Sequence, residues 1–304
     1  HLIYPGNRIR LYQNTDVLKS QDKPEPIQEM PVAEETLTEK APVEEAAPAP
    51  APKIVEEATE PAPVAAPVPV YYLMDEILRV GFLKKLPTEF FRGTMDPLKI
   101  ANIFKVEGKS DQIMISQGDT VYIQPQEDAS LIIGSRYFIY KPLQKINDKI
   151  TGDYAGHQYK IAGIAEVTTT YNDYAVAEVV KAYLPINVGD NLMPLQKRSP
   201  EIALTPEPGG LTGHVITDEE HVTMSSENSI VFLNKGENDG VKPGQQYNIY
   251  YQDTKELNGK TVQLPPVIYG KLMVLLTQDS TATAIITHSQ KAIHAGATFA
   301  SPAL

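Results

Sequence analysis

Short runs in which apolar and polar residues alternate fill the chain from about residue 100 to its end. They cover residues 120–124, 136–140, 175–180, 230–234 and 246–250, and turns rich in Gly, Pro or Asn-Asp separate them. A period of two residues places successive side chains on opposite faces of a strand. The pattern therefore predicts a mainly β structure here.

The same stretch contains an internal repeat. Seven positions have a similar residue 110 positions later: Val121/Val231, Tyr122/Phe232, Ile123/Leu233, Gly134/Gly244, Tyr137/Tyr247, Ile139/Ile249 and Tyr140/Tyr250. Further on, the shift is 107 residues: Gly163/Gly270, Val167/Val274, Ala175/Ala282, Ala177/Ala284, Ile186/Ile293 and Gly189/Gly296. A change of three residues in one loop explains the difference. The repeat predicts two tandem copies of one small β-barrel or sandwich module, joined around residues 204–213.

An apolar stripe at helical spacing precedes these modules. It lies within LMDEILRVGFLKKL, residues 73–86, and consists of Met74, Ile77, Leu78, Gly81, Phe82 and Leu86. Acidic residues come early and lysines late, which suits the helix dipole. The pattern predicts a short amphipathic helix that packs on the following module or docks to a partner.

Composition changes abruptly between residues 19 and 70. Eleven of the 25 prolines fall between Pro24 and Pro69, among Ala, Val and Glu. Such density favours polyproline II, and the glutamates repel one another. We expect a disordered linker, with a PxxP-type ligand as the alternative. The 46 residues from Pro24 to Pro69 would span about 40 Å as a coil and up to about 140 Å extended.

Charge and cysteine content narrow the classes of partner and chemistry. The net charge is −11 and the pI is about 5.1, which disfavours nucleic acid and anionic membrane surfaces. Apolar runs fall short of the roughly 18 residues that cross a bilayer, so we expect no membrane insertion. The sequence contains no cysteine, which excludes disulfides, thiolate metal sites and Cys nucleophiles.

Histidines and carboxylates form no recognisable catalytic pattern. The histidines are His1, His157, His214, His221, His288 and His294, without an HxH or HExxH pair. His221 follows Asp218, Glu219 and Glu220, which suggests a metal cluster, although a charged loop between strands is the preferred interpretation.

Other enzymatic patterns are equally weak. Gly209, Gly210 and Gly213 lack the strand–helix context of a phosphate loop and indicate a turn between modules. Glu166 and Glu178 alternate with apolar residues as on solvated strand faces, although any two acids could meet in a glycosidase site. The sequence predicts no catalytic residue, no metal and no cofactor.

Sixteen tyrosines occur without any tryptophan. Tyrosine suits interfaces and sugar stacking, and it also fills the cores of small barrels. Tyr122, Tyr137, Tyr140, Tyr247 and Tyr250 occupy repeat-related positions. We therefore predict a structural role for these five.

The opening residues, HLIYPGNRIRLY, resemble the end of a LysM domain, N-P-x-L-I-x-P-G-Q-x-L-x-I-P. Six of them fit that pattern: Leu2, Ile3, Pro5, Gly6, Ile9 and Leu11. Asn7 and Tyr12 depart from it. LysM domains bind N-acetylglucosamine-containing glycan between two loops. The resemblance implies one of these loops, partial, at His1, Leu2, Ile3 and Tyr4, with the other upstream of His1.

The order of parts extends this resemblance over essentially the whole chain. A LysM end, a Pro-rich tether and two β repeats look like the TsaP family of LysM-containing, type IV pilus secretin-associated proteins. The β repeats are similar to the C-terminal domain of the flagellar ring protein FlgT, through GSRYFIY, NKGENDGVKPGQQYNIYY and YGKLMVLLTQDSTATAIIT.

The resemblance implies a non-enzymatic periplasmic adaptor, associated with the cell wall and an outer-membrane complex. It would bind peptidoglycan through LysM and brace a PilQ-like secretin with its β modules, in several copies around a ring. A FlgT-like scaffold of a flagellar outer ring or another envelope machine is the alternative. A cell-wall hydrolase is a third hypothesis, which the missing Cys and His patterns weaken.

The predicted organisation has five parts. Residues 1–18 end a LysM domain, 19–70 form the linker, 71–100 a helix and connector, 101–204 the first β module and 205–304 the second.

Overall fold

The computed structural model describes residues 69–86, 96–108, 114–127 and 129–302. The LysM-like end and the predicted linker up to residue 68 lie outside the described residues. The described part is mainly β, as predicted, and its strands form two closed barrels of six strands each. In this part of the chain, no helix is long and apolar enough to span a bilayer.

Three short elements precede the first barrel. They are β1 (Val70–Tyr71), α1 (Met74–Leu78) and β2 (Phe82–Lys84). The prediction of a helix over 73–86 is therefore right for 74–78 and wrong for 82–84. Phe82 and Leu83 are both buried, but they belong to different apolar clusters, which requires neighbouring side chains to point in opposite directions.

Gly81 separates the helix from the strand. A Cβ at this position would lie 2.6 Å from the carbonyl oxygen of Tyr159, so only glycine fits the close approach of the two backbones.

The first barrel is antiparallel throughout. Its strands are β3 (Ala101–Val106), β4 (Thr120–Pro125), β5 (Arg136–Asn147), β6 (Tyr154–Thr170), β7 (Ala175–Ala182) and β8 (Asn191–Pro194). They lie in the order β6–β5–β8–β3–β4–β7, and pairing of β6 with β7 closes the ring. The outer end of β6 also pairs with β2.

The second barrel follows a connector in which β9 (Glu201–Ile202) pairs with β1. Its elements are β10 (Thr212–Asp218), β11 (Ile230–Leu233), a 3₁₀ turn (Glu237–Asp239), β12 (Gln246–Tyr251), β13 (Thr254–Leu257), β14 (Lys260–Gln263), β15 (Val267–Thr277), β16 (Ala282–Ser289) and β17 (Thr298–Ala300). The ring order is β10–β11–β16–β15–β12–β17, and β13 and β14 form a separate two-stranded hairpin.

The two barrels have the same topology, strand for strand, and share their irregularities. The register shift between Ile103 and Lys105 recurs between Val215 and Thr217. A left-handed residue recurs as well, as Gly118 (φ +87°) and Asn228 (φ +67°). The predicted repeat is thus confirmed in the fold.

Repeat-related residues occupy equivalent places in the two rings. Tyr140 and Tyr250 each follow a register shift in the pairing of β5 with β6 and of β12 with β15. Gly189 N–H donates to the Ile103 carbonyl and Gly296 N–H to the Val215 carbonyl, both at 2.7 Å. The three-residue difference lies in one hairpin, which spans residues 142–159 in the first barrel and 252–266 in the second.

Each barrel is filled by inward-facing apolar side chains from every strand. Tyr137 and Tyr247 occupy equivalent places in the two cores. Tyr140 is also buried, on the outer side of the first barrel, beneath Phe82 and Tyr159. Tyr122 and Tyr250 are only half-buried. The structural role predicted for the five tyrosines therefore holds most clearly for the three that are buried.

Candidate functional site

The glycan-binding residues predicted from the sequence, His1, Leu2, Ile3 and Tyr4, lie outside the described residues. Within the two barrels, three features carry functional information. They are the junction between the barrels, an aromatic surface of the first barrel and an exposed hairpin of the second.

The junction has an apolar centre. The β5–β6 hairpin and β2 extend from the first barrel onto the outer face of the second. There Leu83, Ile146 and Ala155 pack against Ile216 and Phe232. Phe232 is fully buried. An outer face of the second barrel is therefore covered by its neighbour.

Hydrogen bonds surround this centre. His214 Nε2 lies 2.6 Å from Asp148 Oδ2 at the tip of the hairpin. The Thr281 hydroxyl donates to the Leu83 carbonyl, and the Thr283 hydroxyl donates to the Gly81 carbonyl at 3.2 Å. Polar groups at this contact are thus paired across it, as burial requires.

The acidic cluster at 218–221 belongs to the same junction. Glu219 accepts a hydrogen bond from the Gly81 N–H at 2.9 Å. Lys160 Nζ lies 2.5 Å from Glu220, and Gln158 Oε1 lies 2.5 Å from His221 Nε2. These side chains reach outward to the first barrel instead of converging on one point. Over the described ranges, no three His, Asp or Glu side chains are grouped as a metal site.

Burial affects the charged groups at the junction. Glu219 is half-buried, and this burial raises its pKa above the ordinary value despite the Gly81 hydrogen bond and nearby Lys160. A carboxylate with a raised pKa occurs in many catalytic sites. Here its carboxylate oxygen accepts a hydrogen bond from the backbone N–H of Gly81, which is a structural role.

Arg198 fixes the connector between the barrels. Its Nη1 donates to the carbonyls of Ile77, Leu78 and Val80 at 3.0, 3.1 and 2.6 Å. Ile77 and Leu78 end α1 and Val80 lies just beyond it, where backbone acceptors lack helical partners. The guanidinium also lies 4.9 Å from the centre of the Phe138 ring. Burial lowers the pKa of Arg198 to about 10, while Glu219 and Tyr183 oppose this shift.

A polar cleft of about 200 Å³ opens beside the junction, lined in part by Asp148, Asp153, Asn234 and Asp239. Two of its acids already have partners, since Asp148 contacts His214 and Asp239 lies 2.8 Å from Lys235 Nζ. The Asp148 contact joins the two barrels, whereas Asp239 and Lys235 both belong to the second.

The other acids and histidines singled out from the sequence lie apart. Glu166 faces outward and pairs with Arg136 at 2.8 Å, and Glu178 is exposed. His288 contacts Glu227, and His294 contacts the Thr223 carbonyl. The structure does not bring these groups together.

The first barrel carries an aromatic face made of Phe104, Tyr122, Tyr171 and Tyr174. Ring centres of Tyr122 and Tyr174 are 6.0 Å apart, and Phe104 lies 6.2 Å from each. Tyr171 stacks on Tyr174 at 4.6 Å. Phe104 is 40% exposed and Tyr171 55% exposed. Exposed rings clustered in this way are typical of binding surfaces.

The second barrel carries an exposed hairpin, residues 252–266, built around β13 and β14. Leu257, Val262 and Leu264 are 60%, 41% and 42% exposed. Paired residues share a face of a hairpin, so the register puts Leu257 and Val262 on one face with Lys255 and Lys260. The hairpin thus presents an apolar strip flanked by positive charge.

The sequence indicated neither surface as a binding site. The aromatic face combines residues from β3, β4 and the turn before β7, which come together only when the barrel closes. One sequence signal pointed to the aromatic face. Phe232 is the repeat equivalent of Tyr122, and the hydroxyl of Tyr122 suits a position that is in part exposed to solvent.

Comparisons with known proteins add no relative to this picture. A scan of protein-family models and a search of curated proteins both found no match.

Proposed function

We propose that the chain is a non-enzymatic periplasmic adaptor. It binds peptidoglycan through the LysM-like end of the protein and braces a PilQ-like outer-membrane secretin through its paired barrels. The observation that carries the proposal is the tandem repeat, whose sequence resembles secretin-associated proteins and whose two copies are held together by a buried junction.

The junction supports a mechanical role in particular. A brace has to transmit force between its binding sites, which requires that its two lobes keep a fixed relation. Apolar packing at Phe232, the bonds from Arg198 and the contacts of Glu219 serve that purpose. Glu219, one of the acids whose sequence suggested a metal cluster, is used in these contacts.

Co-purification tests the proposal. Tagged chain should retain a detergent-solubilised PilQ-like secretin, and a version without residues 1–18 should retain it equally, since the barrels are intact. Recovery of a flagellar ring protein in place of the secretin would favour the FlgT-like alternative. Release of labelled fragments from sacculi would identify a hydrolase and refute the proposal.

A further inference from the structure

The hairpin of the first barrel packs on one face of the second barrel. Because the barrels are repeats, the chain also contains a second hairpin and a second face of the same kind. On the second barrel, the covered face contains Ile216, Phe232 and Thr281, which meet the hairpin and β2 of the first barrel. The shared register places three residues of the first barrel at equivalent positions: Phe104, Tyr122 and Tyr174. They are the centre of the aromatic face, and that face is partly exposed.

The hairpin has an equivalent too. Residues 142–159 of the first barrel include Ile146 and Ala155, which cover Phe232. The equivalent hairpin of the second barrel is 252–266, whose Leu257 and Val262 are exposed. The aromatic face of the first barrel is thus equivalent to the covered face of the second barrel. The exposed hairpin of the second barrel is equivalent to the hairpin that covers that face.

Charge favours the pairing of these two parts. Lys255 and Lys260 flank the apolar strip of the hairpin. On the first barrel, two exposed acids border the face: Glu107 lies 3.5 Å from the Tyr122 hydroxyl, and Asp173 adjoins Tyr174 in the chain. They stand against one exposed lysine, Lys105, which pairs with Tyr122 across β3 and β4. Ammonium groups are attracted both to carboxylates and to the faces of aromatic rings.

We propose that the hairpin 252–266 of one copy docks on the aromatic face of a second copy of this chain. Within one copy, the equivalent face of the second barrel is already occupied by the first barrel's hairpin. Leu257 on the hairpin and Phe104 on the aromatic face both stay exposed within one copy, so the first barrel of another molecule has to supply the partner. Since the hairpin and the face are different surfaces, one such contact uses the hairpin of one copy and the face of the other. The two remaining surfaces pair either reciprocally in a closed dimer or with further copies.

The proposal concerns copies of the chain alone. It is tested on purified protein without any secretin, so its failure and a failure of secretin binding give different results.

Cysteine cross-linking provides the first test, because the native chain contains no cysteine. Two singly substituted full-length chains, Leu257→Cys and Tyr171→Cys, are mixed and oxidised. A disulfide-linked heterodimer is expected from this mixture. The matched control pairs Leu257→Cys with Met224→Cys, which is 64% exposed on the second barrel. Equal yields in both mixtures, or no heterodimer in the first, would overturn the proposal.

A charge swap provides the second test and relies only on exposed residues. Lys260→Glu and Glu107→Lys should each weaken self-association in sedimentation equilibrium by about tenfold, and the two changes together should restore much of it. Lys242→Glu, exposed on the second barrel outside the hairpin, should have little effect. A native chain that stays monomeric throughout, or a double variant as weak as the sum of its parts, would contradict the proposal.

Discussion

Arg198 connects the last turn of α1, the connector and the first barrel through a single guanidinium. Its three carbonyl acceptors come from residues 118 to 121 positions earlier in the chain. Nothing in the local sequence distinguishes Arg198 from the exposed Lys197 beside it. A buried role of this kind depends on distant residues, which explains why the sequence could not predict it.

Substitution of Arg198 should destabilise the protein. Arg198→Met keeps most of the volume but leaves the carbonyls of Ile77, Leu78 and Val80 without their donor, at an expected cost of about 3 kcal/mol. Urea denaturation measures the change, with Lys197→Met as the exposed control. Equal unfolding midpoints for the two variants would show that these bonds do no more than offset the cost of burying the Arg198 Nε and Nη2 atoms, for which the described part of the chain gives no partner.

Glu219 should make stability depend on pH. Because burial raises its pKa above 4.5, the folded protein holds this proton more tightly than the unfolded chain. That contribution is complete below pH 4.5 and is lost as the pH rises through the folded pKa. Glu219→Gln keeps an acceptor for the Gly81 N–H and stays neutral, so it escapes the loss.

The variant should therefore gain stability over the native chain as the pH rises from about 4 to 7, measured by thermal unfolding. Asp218, Glu220, Lys160 and Arg198 surround the site in both proteins, so the difference between the two curves isolates Glu219. A variant that is less stable at pH 7 would show instead that the Glu219 charge offsets that of Arg198.

Strands and hairpins were predictable to the extent that their signals are local. Alternation identified β4, β5, β7, β11 and β12 because each has one face in a barrel core. The prediction of a helix over 73–86 was wrong at β2, where elements distant in sequence bury both Phe82 and Leu83. Both faces of such a strand are apolar, so periodicity alone does not distinguish it from a helix.

Two equivalent glycines should differ in their tolerance of a side chain. A Cβ at Gly163 would overlap the Lys181 carbonyl and lie 2.8 Å from Ile186 Cδ1. At Gly270 the nearest atoms, His288 O and Ile293 Cδ1, lie 3.1 and 3.2 Å away. Gly163→Ala should therefore cost about 2 kcal/mol more than Gly270→Ala, as measured by chemical denaturation. The opposite order would show that the first barrel yields more easily at this point.

At the scale of the whole molecule, the regular spacing of similar residues predicted the repeat. The sequence did not predict that one barrel packs on the other. Phe232 and Tyr122 look like interchangeable aromatic residues in sequence. Their environments differ because Phe232 lies beneath β2 and the hairpin of the first barrel, whereas Tyr122 is half-buried. Repeat-related residues thus predict a common fold. How deeply each is buried depends on how the two barrels pack against each other.

The predicted linker gives a test at this level. Shortening residues 19–68 to about ten residues would limit their span to about 30 Å. The variant should bind secretin in solution but fail to anchor it in cells, seen as displaced secretin complexes and impaired pilus function. A scrambled linker of native length and Pro content is the control and should anchor normally. Normal anchoring by the short variant would place the wall and secretin sites close together.

The pairing of β1 with β9 has a mechanical consequence. The described chain starts at this pair, which joins only Val70 to Ile202 and Tyr71 to Glu201. A pull on residue 69 would therefore peel two residue pairs first. The Arg198 bonds to Ile77, Leu78 and Val80 would have to break before the five residues of α1 unwind. Residues 70–81 would then span up to about 40 Å. Work would be absorbed there before tension reached Phe82 and Leu83, whose removal would open the apolar clusters beneath them.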